Sequence, residues 1–152
     1  MTKLPPKEKV IEAWTAIADS RVRLNDGYAL VKSSDDAKTY TIRFSGDYYS
    51  SDDNATYWRG YPGYPVIAVL MLQGRLTLDS QEAALWKDIN WKSVNTKFRN
   101  NYAAAVEEVE KERNINKEVT DAAVAKVMKE LETLPIVIKR KLPESKPEGS
   151  GN

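Results

Sequence analysis

Tyr48, Tyr49, Tyr57, Trp58, Tyr61 and Tyr64 crowd around Arg59, with Asp47, Asp52 and Asp53 among them. Such a set offers aromatic faces, a guanidinium and a few carboxylates. Rings beside a guanidinium can stack on unpaired bases, each stack being worth about 1–3 kcal/mol, and the same composition makes protein interface hot spots. The carboxylates are the nearest acids for acid–base work. Adjacency in a loop does not set the separation between two carboxyls on which glycoside hydrolysis depends. Their spacing also departs from a calcium loop, which alternates oxygen ligands around a turn glycine and closes on a Glu.

What the chain lacks narrows the chemistry further. With no His and no Cys, there is no imidazole base, no thiolate nucleophile and no Ser-His-Asp triad. Neither Gly-x-x-x-x-Gly-Lys-Ser/Thr nor Gly-x-Gly-x-x-Gly occurs, so no phosphate-cradling loop is signalled. These absences point to a non-catalytic binding module that uses no cofactor and no metal.

The elements that must position the aromatic segment are short strands before it and a helix after it. Asn25-Asp26-Gly27 is a tight-turn signal between two β-prone runs, Arg21 to Leu24 and Tyr28 to Lys32, because these residues tolerate positive φ. After the turn cluster Ser33 to Asp36, the run from Thr39 to Phe44 alternates, with Tyr40, Ile42 and Phe44 on one face. A three-stranded antiparallel meander with one wet face follows. Beyond the aromatic segment, an apolar run from Val66 to Leu72 fits strand or helix by periodicity alone. Pro65 at its start and Gly74 after its end favour helix.

The frame from Tyr28 to Gly74 resembles the SWIM zinc-finger family, a ββα module in which an aromatic precedes Cys-x-Cys, then Arg-Gly, then Cys-x-His runs into an apolar helix. Tyr49 precedes Ser51 and Asp53 at the two Cys positions, Arg59-Gly60 keeps the Arg-Gly step, and Gly63 and Pro65 take the third Cys and the His positions. Val66 to Leu70 continues as that family's helix does, and Ser33 to Phe44 is similar to the strand that leads in. The resemblance implies DNA or protein binding. Its zinc is excluded by the donor set, since Ser51, Asp53, Gly63 and Pro65 offer at most one good oxygen ligand. Structural zinc contributes on the order of 10 kcal/mol in small fingers, and burial of the Tyr and Trp rings is the natural replacement. The alternative is that these rings form an exposed stacking surface.

Helices fill most of the remainder. Val10, Ile11, Trp14, Ile17 and Ala18 give an amphipathic helix within Lys7 to Asp19, and Ser80 reads as the cap of another over Gln81 to Trp86. Asn90 caps a long helix from Trp91, whose seam of Val94, Phe98, Tyr102, Ala105 and Val109 would run about six turns. Asn116 caps a last helix reaching Leu134, after which Pro135 precedes a short edge strand, Ile136 to Ile138. From Pro143 onward Pro, Glu, Ser, Lys and Gly read as a disordered tail.

The chain of 152 residues, 41% apolar and 30% charged, therefore reads as one α+β domain over residues 1–142, in which a SWIM-like element (28–74) packs against a helical region (80–134) and a tail covers 143–152. No secretory h-region opens it and no apolar run is long enough to span a bilayer, so the expectation is a cytoplasmic protein with no membrane partner. Arg21, Arg23 and Arg43 fall on the wet face of the meander, and Lys87, Lys92, Lys97 and Arg99 surround the start of the long helix. Basic groups placed so suit phosphate contact, although a net charge of +1 is low for a dedicated DNA binder. The residues expected to touch the partner are Arg43, Trp58, Arg59, Tyr61, Lys92 and Arg99. The expected partner is DNA, single- or double-stranded, with a protein-interaction or structural module, including a homodimer, as the alternative.

Overall fold

In the computed structural model, residues 3–143 are described, so residues 1–2 and all but the first residue of the expected tail lie outside the described residues. Alternation of apolar and polar side chains builds the sheet. Strands β1 (Val22–Leu24), β2 (Tyr28–Lys32), β3 (Thr39–Ser45) and β4 (Tyr48–Ser51) run antiparallel in sequence order, and β5 (Val137–Ile138) adds to β4 in parallel. The turn at Asn25 to Gly27 has the expected chemistry: Gly27 takes φ +80° and the Asn25 amide donates to the Tyr28 carbonyl at 2.9 Å. Ala29, Val31 and Ile42 lie fully buried on the inner face.

Around this sheet, six α-helices among the described residues form an α+β arrangement: α1 (Glu8–Ala18), α2 (Tyr64–Leu72), α3 (Ser80–Leu85), α4 (Trp91–Lys97), α5 (Tyr102–Arg113) and α6 (Lys117–Thr133). Helix α2 is apolar on every side, with Pro65 to Met71 all buried, which is the signature of a core helix and not a surface one. It packs against β1, β3 and β4 and also against α1, which in turn meets α3, α5 and α6. Gly74 follows it at φ +78°, a left-handed stop that glycine takes without strain.

Two expectations about helices are corrected. The helix opening near Ser80 is capped by Asp79, whose carboxylate accepts from the Glu82 amide at 3.0 Å. The long helix from Trp91 is two helices. Arg99 and Asn100 both adopt positive φ, at +53° and +62°, and the Asn101 side chain then accepts from the Ala104 amide to start α5 afresh. Asn tolerates the left-handed conformation and is among the strongest N-caps, so local chemistry outweighs the continuous seam. Asn90 and Asn116 cap α4 and α6 as expected.

The aromatic segment is no loop either. Tyr48 to Ser51 form β4, and Ala55 to Arg59 form one turn of π-helix ending at Gly60, φ +74°. The expectation that its rings are buried in a core holds for Tyr49, which lies in the core cluster 5.7 Å from the Phe44 ring. Trp58, at 65% exposure, follows the opposite alternative. Arg21, expected on the wet face, is largely buried; its guanidinium donates to the Lys32 carbonyl and lies 3.6 Å from Asp19.

Thr15 ties the helical layer together. Its hydroxyl donates to the Trp86 carbonyl at 2.6 Å and accepts from Trp91 Nε1 at 2.9 Å, while the two indoles stack with centroids 6.0 Å apart. Thr15→Val keeps the shape and orphans two buried polar groups, each worth about 1–3 kcal/mol. Urea unfolding of this variant is expected to show a loss of about 3 kcal/mol, with the change confined to the midpoint.

Candidate functional site

Ser51, Asp53, Thr56 and Gly63 form a buried knot of hydrogen bonds. Ser51 Oγ donates to Asp53 Oδ1, the Asp53 amide donates back to Ser51 Oγ at 3.3 Å, and the Thr56 amide donates to Asp53 Oδ2 at 3.1 Å. Thr56 Oγ1 then accepts from the Gly63 amide at 2.9 Å, closing the segment on itself. A Cβ at Gly63 would stand 2.4 Å from Asp53 Oδ2 and 3.1 Å from Thr56 Oγ1, so close approach is what requires glycine here. Burial pushes the Asp53 carboxyl up, against the opposing pull of its Ser51 and Thr56 hydrogen bonds.

The knot sets the π-helical turn over a cleft of about 820 Å³. Trp58, Arg59 and Tyr61 come from the turn and the residues just after it, Tyr64 from the first residue of α2, and Tyr40 from β3. Lys9 from α1, Tyr102 from the start of α5, and Asp53, Asn54 and Ala55 from the knot complete the lining. Tyr40 and Tyr64 meet edge to face at 6.4 Å. Burial raises the pKa of both phenols and of Tyr61, so all three stay protonated as hydrogen-bond donors at neutral pH.

Lys9 is itself buried, 3.6 Å from Glu12 Oε2 and 4.2 Å above the Tyr102 ring. Burial opposes its charge, yet the Glu12 carboxylate and the Tyr102 and Tyr61 oxygens hold its pKa above the ordinary value. Outside the cleft wall, the Arg140 guanidinium lies 5.0 Å from the Tyr57 ring and 5.2 Å from the Trp58 ring. Lys3 Nζ donates to the Arg59 carbonyl at 3.1 Å. Positive charge is therefore gathered locally on a chain with a formal net charge of only +1.

The structure brings Trp58, Arg59 and Tyr61 together as expected and sets the remaining candidates elsewhere. Arg43 lies on β3 opposite Tyr28 and Ser50, beside a separate hollow of about 490 Å³ shared with Leu142 and Pro143. Lys92 pairs with Asp35 at 3.5 Å in the first turn of α4, and Arg99 occupies the left-handed corner after that helix. Neither lines the cleft. Lys9, Tyr40, Tyr102 and Arg140 escape a reading of local sequence because their approach to Trp58 and Arg59 depends on contacts far apart in the chain. The 56-residue separation of Lys3 from Arg59 shows the scale.

Donor chemistry at Ser51, Asp53, Gly63 and Pro65 does not fit zinc. Both Asp53 oxygens are taken by Ser51 and Thr56, while Gly63 and Pro65 carry no side-chain donor. Among the described residues no group of three or more His, Cys, Asp or Glu is placed to hold a metal. Also among them, no helix is long and apolar enough to cross a membrane.

Fold and site together define an α+β protein whose sheet and buried helix carry an aromatic, locally basic cleft. A family model described as Uncharacterised conserved protein UCP014422 matches residues 2–137, and the chain belongs to that family. No curated protein and no solved structure matches the chain.

Two outcomes test the knot. Gly63→Ala forces an overlap with Asp53 and is expected to cost about 1–3 kcal/mol in denaturant unfolding. The folded pKa of Asp53 is raised, so its contribution to stability is present below the unfolded carboxyl range near about 4 and is lost as pH rises through the folded value. The stability of wild type relative to Asp53→Asn should therefore fall as pH rises above the unfolded carboxyl range near about 4. A difference that stays constant across that range would mean that Asp53 is solvated as it is in the unfolded chain.

Proposed function

We propose that the chain is a non-catalytic nucleic-acid-binding module that receives an unpaired nucleotide in the cleft. The observation that carries this reading is Trp58. A tryptophan 65% exposed, set edge to face against Tyr57 at 4.7 Å, flanked by Arg140 and followed by Arg59, is a stacking platform at the mouth of a phenol-lined recess. Every base has a face to stack, so such a platform accepts single strands with little regard to sequence. Concavity favours an unpaired base over a duplex, whose bases are already stacked. Arg59 and Arg140 supply the charge that tracks a phosphate backbone.

We infer also that residues 28–74 are a SWIM-like element in which hydrogen bonds have taken the place of the metal. Support comes from the convergence of Ser51, Asp53 and Gly63, three of the four ligand positions, on a single buried knot. The apolar helix that follows is buried along its length, as a helix docked on such an element would be.

A protein partner is the second reading, favoured by the same exposed Trp58 and its Tyr and Arg neighbours, which match hot-spot composition. Salt separates the two, because phosphate contacts release counterions and an aromatic protein interface does not. Fluorescence anisotropy with labelled oligothymidylate and a duplex of equal length, at about 50 and about 200 mM salt, should show saturable single-strand binding that weakens about tenfold for two or three phosphate contacts. Trp58→Ala should cost about tenfold in affinity, and the duplex should bind more weakly than the single strand. Absence of binding to either DNA at the lower salt would overturn the nucleic-acid reading and leave the protein partner.

A further inference from the structure

Lys9 is the part of the cleft that stacking on Trp58 does not explain. A lysine is almost never fully buried unless paired, and this one is only 8% exposed with an incomplete pair. Its 3.6 Å separation from Glu12 Oε2 exceeds hydrogen-bond length, and that same oxygen also accepts from Asn95 Nδ2 at 3.4 Å. One distant carboxylate oxygen and one ring face leave the three N–H groups of an ammonium underused.

The neighbours are what an oxyanion needs. Tyr61 lines the same recess, its protonated phenol near enough to act on the Lys9 charge, so a hydroxyl donor accompanies the ammonium. Asp53 is the carboxylate that shares the lining, and its oxygens are engaged by Ser51 and Thr56. A volume of about 820 Å³ is that of a small-molecule site, within the roughly 300–1,000 Å³ such sites span. An internal phosphodiester would have to bring chain in and out past a buried ammonium, whereas a phosphate monoester ends the chain and enters alone.

We propose that Lys9 is the phosphate receptor of the cleft and that the ligand is a nucleoside phosphate monoester, with the base on Trp58 and the phosphate on Lys9 and Tyr61. This rests on the stacking role given to Trp58 above. The shared chemistry has two sources, a free mononucleotide and the phosphorylated end of a single strand.

Intrinsic fluorescence distinguishes them, because Trp58 is exposed while Trp14, Trp86 and Trp91 are buried. The wild-type protein is titrated with thymidine, thymidine 5′-monophosphate, and hexathymidylate with and without a 5′-phosphate. The phosphorylated member of each pair should bind about tenfold more tightly, the scale of a hydrogen bond to a charged group. Lys9→Met should erase that preference while retaining the circular dichroism of the wild type. If that variant does not fold, Glu12→Gln, which removes the counter-charge of Lys9, should tighten the phosphorylated ligands about threefold. Equal affinity within both pairs overturns the proposal, while binding of the unphosphorylated strand would leave the stacking role intact. Binding of the mononucleotide with no binding of either strand identifies free nucleotide as the source and refutes strand recognition.

Discussion

Asp53 is the constraint on which the rest of the cleft depends. A carboxylate with almost no exposure holds Ser51 at the end of a strand and Thr56 in the first turn of a π-helix, and through Thr56 it fixes the amide of Gly63 just before the core helix. Strand, turn and helix are thereby set at one angle. Burying that carboxyl costs desolvation, which raises its pKa, and the cost is partly offset by hydrogen bonds that no water competes for. The hydrophobic contribution is separate: Tyr49 and the helix from Pro65 to Met71 enter the common core beneath the knot.

This division of labour explains why the aromatic residues split into two populations. Tyr49 faces inward from β4, hydrogen-bonded through its hydroxyl to Gln73 Oε1 at 2.6 Å, and contributes burial. Trp58 lies on the far side of the knot, where the π-helical turn widens the backbone and turns the indole outward. The proposed stacking and phosphate roles belong to this second population and to Lys9, whose burial is supported from behind by Glu12 and Asn95.

Much of the fold was legible because it is local. Alternation from Thr39 to Phe44, the Asn25 to Gly27 turn, Pro65 ahead of an apolar run and the Asn caps at positions 90 and 116 each encode their element within a few residues. Where the sequence misled, two local signals competed. The seam from Trp91 to Val109 argued for one helix, but Asn100 and Asn101 offer a left-handed step and a fresh cap, and the chain takes them. The cleft was half legible. Trp58, Arg59 and Tyr61 are neighbours in sequence, so their association follows from spacing, whereas Lys9, Tyr40, Tyr102 and Arg140 arrive from four other parts of the chain. The signals for Arg43, Lys92 and Arg99, a wet strand face and the start of a helix, are local and carry no information about which distant elements meet there.

Native-state amide hydrogen exchange of Thr56 and Gly63, compared between wild type and Asp53→Ala, tests the role of the knot most directly. If Asp53 organises the segment, both amides in the wild type exchange only as slowly as the core strand amides of Val31 and Ile42. In the variant they should exchange faster by about two orders of magnitude, while Val31 and Ile42 lose protection by less, reflecting only the global loss of stability. Thr56 and Gly63 amides that exchange rapidly in the wild type, or that slow and quicken in step with Val31 and Ile42 in both proteins, would contradict the account.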